Sequence, residues 1–485
     1  MSSSPNTLAS DGVDVSSAAR AAIKQFNRRT HFFGESPADP ARISQATTNL
    51  KAFCPTVTNE AHAALTLSGL VVLAPNPIWK NASRAIKSVL DQINDKSKKR
   101  YVGGLLNDQL VLEGLWSKAK RPDAGLFVGN LATGGDTDQL WKIEPSIVKP
   151  STLRDEITQV NIESILLAAV QTLSDLQIKR KGEYLSQQTF MLVRKAESYL
   201  APLCELIEND GLAMALNSAA ARARLAATGN KGYVDKAKAV YAGIGDHEIF
   251  EQEMESAIES LCDESLHSST VDYNSQHRTL IGRSLCMING VEMVAKYRRK
   301  SLGQLARKIR RLGGKLPMDI CGITFVIQDS DDFAKIFSDI VKKADLNDRF
   351  QFSPTPRRNE ALHIRGRDIF RSQIMQRLDN SGLNHDIQQQ PDDSLELAKF
   401  TALFDGIPME IQVVTKTMAR AMRLGLIAHI GYKVDQPITL ADVLAMEEIN
   451  QRASEIGTGQ LFGSTVDGAR NFMATVERNA LPFIA

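Results

Sequence analysis

Two apolar runs of the chain, 398–404 and 407–414, are separated only by the dipeptide Asp405-Gly406. Asp-Gly suits the tight type I′ turn, in which both central residues have positive φ, so the pattern predicts an antiparallel β-hairpin. Glu410 lies in the second of the two runs. The C-terminal part of the chain is therefore expected to contain a sheet with a carboxylate on one of its strands.

The stretch 294–318 carries nine basic residues and no acidic one, although the whole chain has 58 Lys and Arg against 56 Asp and Glu. Its apolar residues share the spacing of one buried helix face: Leu302, Leu305, Ile309 and Leu312. Gly313-Gly314 ends the predicted helix. A basic helix is often just a solvated face, but a charge asymmetry of this size also indicates an anionic partner.

A buried strand is predicted directly after this helix, over 318–327, with Asp319 near its start. A charge in that position needs a partner. Glu410 supplies a second carboxylate on a neighbouring strand. This arrangement suits Mg²⁺ with a polyphosphate, because Mg²⁺ takes one or two protein carboxylates and leaves its other positions to phosphate oxygens and water.

Four sequence blocks follow one another in order: RRKSLGQLARKI at 298–309, MDICGI at 318–323, IPMEIQVVTKTM at 407–418 and GLIAHIGYK at 425–433. Together they resemble the synthetase domain of RelA/SpoT-type alarmone enzymes. The resemblance implies a nucleotidyltransferase-like mixed sheet flanked by helices. It also implies an ATP-dependent pyrophosphokinase that moves the β,γ-pyrophosphoryl group of ATP to a ribose 3′-hydroxyl.

The resemblance implies a role for individual residues as well. Those expected to contact ATP phosphates are Arg298, Lys300 and Ser301 in a loop and Arg307 and Lys308 on the helix. Asp319 is expected to hold Mg²⁺, and Glu410 either to hold the metal or to take the proton of the attacking hydroxyl. Possible residues on the acceptor side are Lys399, His429 and Lys433, the last two with a structural role favoured.

Several family positions carry other residues in this chain. Thr324 and Val414 stand where the family has arginines that help to hold nucleotide. The family also has a tyrosine that stacks on the acceptor guanine. Two alignments are possible here, and each puts a different residue at the position of that tyrosine. Alignment on the pair at 362–363 puts Asn359 in its place, and counting back from Glu410 puts Leu395 there.

The second of these alignments has further consequences. It puts Lys399 at a family histidine and leaves about 350–394 as an inserted, partly helical segment. The acceptor is expected to be an adenine nucleotide, a guanine nucleotide held differently, or the 3′ end of tRNA. The alternative function is a catalytically degenerate module that binds RNA or nucleotide as a sensor or interaction protein.

The whole sequence predicts an α+β protein, in which the mixed sheet belongs to the C-terminal part. The predicted segments are a serine-rich disordered leader at 1–20, a mixed N-terminal domain of unknown role at 21–150, a helical region at 151–290, the synthetase-like domain at 291–433 and a helical tail at 434–485. A strand is expected at 70–73. No apolar stretch approaches the ~20 residues of a membrane-spanning helix.

The place of action is expected to be the cytoplasm, since five scattered cysteines give no disulfide framework. The serine-rich start also fits an effector delivered into another cell. A synthetase without a hydrolase cannot reverse its own product, so a toxin or effector is the expected biological role.

Overall fold

A computed structural model of the protein describes residues 19, 40–53, 61, 63–67, 86–93, 95–119, 160, 162–178, 187–266, 272–274, 279–328, 331–356, 360–380, 386–392, 395–424 and 439–456. They form an α+β protein with a mixed sheet in its C-terminal part. The chain divides into two compact units.

The first unit contains three long helices: α1 (Pro40–Phe53), α2 (Lys96–Ala119) and α3 (Ile162–Gln177). The amide of Asn49 on α1 donates hydrogen bonds to Ser174 and Gln177 on α3, at 2.9 and 2.8 Å. α3 lies within the helical region predicted for 151–290. The strand expected at 70–73 lies outside the described residues, as does the leader at 1–20 apart from residue 19.

The second unit begins with helices and continues into the sheet. Its first helices are α4 (Gln187–Lys195), a π-helical turn (Ala196–Leu200), α5 (Ala201–Leu206), α6 (Asp210–Ala227), α7 (Gly232–Ile244) and α8 (His247–Leu261). These confirm the helical region up to residue 261. The prediction of helix as far as about 290 is wrong, because residues 280–288 alternate between buried and less buried positions and form a strand.

Ten strands form one sheet: β1 (Glu264–Leu266), β2 (Asp272–Asn274), β3 (Thr279–Ile288), β4 (Val291–Arg299), β5 (Cys321–Ile327), β6 (Phe350–Phe352), β7 (Leu362–Gly366), β8 (Ile387–Pro391), β9 (Leu397–Phe404) and β10 (Ile407–Thr415). The main order is β1-β3-β4-β5-β10-β9-β7-β8, with β2 paired to β3 and β6 to β9. The pairs β5–β10 and β7–β8 are parallel and the others are antiparallel.

The remaining helices of this unit are α9 (Leu302–Arg311), α10 (Phe333–Leu346), α11 (Asp368–Asn380), α12 (Lys416–Leu424) and α13 (Leu440–Ile456). One face of the sheet packs in a large apolar core with side chains of α7 to α11. On the other face, α12 packs over a small apolar cluster. The second face also carries a set of polar and charged residues, and these form the candidate site.

The predicted hairpin is confirmed as β9 and β10, joined at Asp405 (φ 46°) and Gly406 (φ 82°). The segment 350–394 is partly helical as expected, through α11. It also supplies β6, β7 and β8 to the same sheet. α13 agrees with a helical tail up to residue 456.

Among the described residues, no helix is both long enough and apolar enough to cross a membrane. Four of the five cysteines are described, and all four are buried free thiols.

Candidate functional site

The basic stretch divides between a strand and a helix. Lys296, Arg298 and Arg299 belong to β4, and the helix α9 begins at Leu302. Arg298 is exposed on the polar face, whereas Arg299 is buried and stacks on the rings of Tyr241 and Phe250, 5.0 and 4.8 Å away. Arg299 is therefore part of the core, whereas the side chain of Arg298 is accessible to a ligand on the polar face.

Ser301 is the fully buried N-cap of α9. Its hydroxyl accepts from the backbone N–H of Gln304 at 3.4 Å, while the Gln304 side chain accepts from the N–H of Ser301 at 3.2 Å. The N–H of Gly303 donates to Ser218 on α6 at 3.1 Å. These bonds satisfy backbone donors that could otherwise bind an anion at the helix start. Ser301 is thus a structural residue rather than a surface phosphate contact.

A cluster of two lysines and one carboxylate joins α9 to the start of β5. Lys308 on α9 and Lys300 both pair with Oδ2 of Asp319, with Lys300 Nζ at 3.0 Å. The other oxygen, Oδ1, is buried and has no hydrogen-bond partner among the described residues. We call Lys300, Lys308 and Asp319 the lysine cluster. It carries a net positive charge and one unused carboxylate oxygen.

Electrostatics within the lysine cluster favour the ionised carboxylate. Burial raises the pKa of Asp319, but Lys300 and Lys308 more than offset this effect and lower the pKa to about 2. Burial lowers the pKa of Lys300, and Asp319 acts in the opposite direction. The carboxylate is therefore charged at neutral pH and is the group that keeps two partly buried ammonium groups together.

Glu410 lies on β10 opposite Gly322 of β5, and Arg298 of β4 lies on the other side of Gly322. Because Gly322 has no side chain, a gap separates Arg298 from Glu410. Glu410 pairs with Lys399 of β9 at 2.7 Å. No hydrogen bond or ion pair between described residues joins Glu410 to the lysine cluster. The two predicted carboxylates are thus held by different lysines.

A continuous polar row crosses seven strands next to Glu410. Its members, in strand order, are Arg283, Lys296, Thr324, Gln412, Lys399, His363 and Gln388. All seven are half-buried. Gln412 donates to the hydroxyl of Thr324 at 2.8 Å, so these two neutral side chains are paired in the middle of the row. Within this set, which we call the polar row, no residue is acidic.

Val414 and Leu395, which the sequence comparison singled out, lie in the apolar cluster under α12. Val414 and Leu395 pack there with Val326 and Leu397, against Met418 and Met422. The hairpin makes β9 the neighbour of β10, and it puts Lys399 opposite Gln412. His363 lies one strand further out, opposite Lys399. The structure therefore has the neighbouring strand on which the count back from Glu410 relies.

Arg307 has a partner that the sequence did not indicate. Its guanidinium lies 3.5 Å from Glu197, a buried carboxylate on the π-helical turn that also binds Arg224. Burial raises the pKa of Glu197, but Arg224 and Arg307 outweigh it and the net shift is downward. Arg307 remains about one third exposed. Its guanidinium can therefore contact a ligand while the ion pair with Glu197 restrains the side chain.

His429 and Lys433 lie outside the described residues, together with the block 425–433. Sequence reasoning also missed Glu197, Lys296 and the outer members of the polar row. For Lys296 a signal was present, since apolar and basic residues alternate from Ala295 to Arg298 as they do in a strand.

Within the described ranges, no three His, Cys, Asp or Glu side chains converge on a metal site. Mg²⁺ bound through nucleotide phosphates needs only one or two carboxylates. The unpartnered Oδ1 of Asp319 suits such an ion, and the two lysines beside it suit the phosphates that accompany the ion. The residues present therefore fit Mg²⁺ carried by a polyphosphate.

The chain matches no protein-family model, and a search of the curated proteins finds no match.

Proposed function

We propose that this protein is a Mg²⁺- and ATP-dependent pyrophosphokinase. The observation that carries the proposal is the lysine cluster, in which a buried carboxylate oxygen without a partner lies beside two lysines. Such a site neutralises the polyphosphate of ATP and leaves one oxygen for its metal. The resemblance of the four sequence blocks to RelA/SpoT-type synthetases supports the same function.

In the proposed reaction, the acceptor's 3′-oxygen attacks the β-phosphorus of ATP. A bond forms between that oxygen and the β-phosphorus, and the bond from the β-phosphorus to the oxygen bridging the α-phosphorus breaks. AMP leaves, and the acceptor becomes a 3′-diphosphate. Mg²⁺, when bound, would supply charge stabilisation for the transferred group. Lys300, Lys308 and Arg298 bind the phosphates, with Arg307 as a further contact on α9.

Glu410 is the proposed base that takes the proton of the 3′-hydroxyl. Its ion pair with Lys399 fixes the direction of the side chain. The gap over Gly322 between Glu410 and Arg298 gives room for the reacting groups. The acceptor would approach from the polar face, beside Lys399.

The test is to incubate purified protein with γ-labelled ATP, Mg²⁺ and a panel of adenine and guanine nucleotides or bulk tRNA. The expected result is a labelled 3′-diphosphate of one acceptor together with unlabelled AMP. If ATP stays intact with every acceptor, the proposal is wrong.

One observation favours a second candidate, a nucleotide- or RNA-binding module without catalysis. Both carboxylates are paired with lysines, and such pairing also suits a site that only binds phosphate. This module would bind equally well with and without Mg²⁺, and Asp319→Asn would leave its binding unchanged. Pyrophosphokinase activity predicts the opposite for both measurements.

For the biological role we propose a toxin or effector acting in a cytoplasm, either its own cell's or that of a cell into which it is delivered. A pyrophosphokinase that cannot undo its product would drain ATP or block translation. Expression of the full chain in bacteria should arrest growth, and Glu410→Ala should relieve the arrest at equal protein level. Normal growth with soluble wild-type protein would contradict this role.

A further inference from the structure

The hairpin of β3 and β4 turns at the dipeptide Asn289-Gly290, the single Asn-Gly pair of the sequence. Asn289 has φ 52° and Gly290 has φ 77°, the positive angles of a type I′ turn. Both residues are exposed. Water and hydroxide therefore have access to the peptide bond that joins them.

The backbone nitrogen of Gly290 is open to reaction. Its N–H donates no hydrogen bond within the part of the chain that the structure describes. Nothing lies within 4 Å of the place that a Cβ would occupy, and glycine has no side chain to shield its own nitrogen. Attack of this nitrogen on the side-chain carbonyl carbon of Asn289 closes a succinimide ring.

A second turn has the same backbone but a different side chain. Asp405 and Gly406, between β9 and β10, have φ 46° and 82°. The carboxylate of Asp405 accepts a hydrogen bond from Nε of Arg349 at 2.7 Å. An ionised carboxylate resists attack by an amide nitrogen because it already carries negative charge, whereas the carboxamide of Asn289 is neutral. Of these two turns, the one at Asn289 is therefore the reactive one.

The carboxamide of Asn289 also connects the turn to α10, because its amide group donates a hydrogen bond to Asp339 on that helix. Asp263 accepts from the backbone N–H of Asn289 at 2.6 Å and pairs with Lys343 of α10 at 2.5 Å. A carboxylate at position 289 would not donate to Asp339. It would also add negative charge beside two acids.

We infer that Asn289 is a site of spontaneous deamidation and that this reaction releases the β3–β4 turn from α10. The nitrogen of Gly290 bonds to the side-chain carbonyl carbon of Asn289, and the bond from that carbon to the amide nitrogen breaks. Ammonia leaves with the proton of the Gly290 amide. Water then opens the succinimide at either carbonyl group and gives aspartate or isoaspartate. Water is the only other reactant, and the inference does not depend on the proposed function.

Incubation of the full-length protein in mildly alkaline buffer tests the site. Mass spectrometry of the digested protein detects the replacement of NH₂ by OH, and an isoaspartyl methyltransferase labels the isoaspartate. A sample digested before incubation corrects for reaction during digestion. The modification should appear in the peptide with Asn289 before it appears in the peptide with Asn347, whose next residue, Asp348, has a side chain.

Gly290→Asn is the matched variant, because asparagine also adopts positive φ while its side chain shields the backbone nitrogen. Position 289 should stay unmodified in this variant over the same period. An unmodified wild type, or equal modification in Gly290→Asn, would overturn the inference. If Gly290→Asn does not fold by circular dichroism, the comparison of Asn289 with Asn347 in the wild type decides.

Urea unfolding tests the effect on the contact with α10. Asn289→Asp reproduces the charge of one product and should unfold at a lower urea concentration than the wild type. Adding Asp339→Asn to this variant should restore the midpoint, since the amide at 339 can then donate to the carboxylate at 289. A wild-type midpoint in Asn289→Asp, or no recovery in the double variant, would contradict the release of the turn.

Discussion

Arg307 on α9 lies 3.5 Å from Glu197, a residue 110 positions earlier in the chain. Glu197 is buried on the π-helical turn and also binds Arg224 of α6. A residue expected to contact ATP is thus anchored by the helical region that precedes the sheet. This region belongs to the same compact unit as the sheet.

Replacing Glu197 by Ala should lower the free energy of unfolding by about 3–5 kcal/mol. The reason is that Arg224 would be left buried with an uncompensated charge. Urea unfolding of the purified variants measures this difference. Arg311→Ala on the same helix is the control, and it should stay within about 0.5 kcal/mol because Arg311 is exposed. Equal losses in both variants would show that the buried pair does not anchor α9.

Two glycine substitutions should change stability in opposite directions. A Cβ added at Gly303 would lie 2.1 Å from the backbone oxygen of Ser218. Gly303→Ala must therefore push α9 away from α6 and should lower the free energy of unfolding by about 1–3 kcal/mol. Gly243→Ala, where nothing lies within 4 Å, should raise it by up to about 1 kcal/mol through helix propensity. Loss of stability only at Gly243, by the same unfolding measurement, would contradict this helix contact.

Acid should remove the contribution of Asp319. The folded pKa is lowered to about 2, below the usual value near 4, so the stabilisation is present above pH 4 and is lost as the pH falls towards 2. The group should account for about 2 kcal/mol over this range. Asp319→Asn should flatten the dependence of unfolding free energy on pH between 5 and 2.

Asp235→Asn is the control for this acid effect, because Asp235 is a surface residue with 64% of its side chain exposed. It should keep the wild-type slope. A slope in Asp319→Asn that is as steep as in the wild type would show that the lysine cluster does not stabilise the ionised form.

A fragment of residues 179–456 should fold, whereas one of residues 246–456 should not. The shorter fragment lacks α6 and α7, which contribute Leu225, Val234, Ala237 and Tyr241 to the core under the sheet. Near-ultraviolet circular dichroism and binding of a hydrophobic dye distinguish a packed core from a collapsed chain. A well-packed core in the fragment of residues 246–456 would contradict this prediction, because it would show that the sheet folds without α6 and α7.

Local patterns in the sequence predicted the elements that local chemistry determines. The turn at Asp405-Gly406 needs positive φ at both residues, and the apolar stripe of α9 has one helical period, so the hairpin and the helix could be predicted. The strand after Asp319 is a mostly apolar run. None of these three predictions depends on which other elements pack against the hairpin, the helix or the strand.

Other parts depend on partners that are distant in the chain. The strand β4 was not predicted, because its outward-facing residues Lys296 and Arg298 were interpreted as part of a basic stretch, with Arg298 in a phosphate-binding loop. The polar row exists only through the register of seven strands. The pairing of Glu197 with Arg307 depends on how α9 packs against the earlier helices, and no local pattern determines that.

The central claim is that Asp319 and Glu410 carry pyrophosphoryl transfer. The most direct measurement is the rate of labelled product formation from γ-labelled ATP at saturating ATP and acceptor, in the wild type, Asp319→Asn and Glu410→Gln. Glu292→Gln, an exposed acid on β4, serves as the control. We predict a fall of at least about a hundredfold in the first two variants and none in the control. Wild-type rates in Asp319→Asn or in Glu410→Gln would contradict the account.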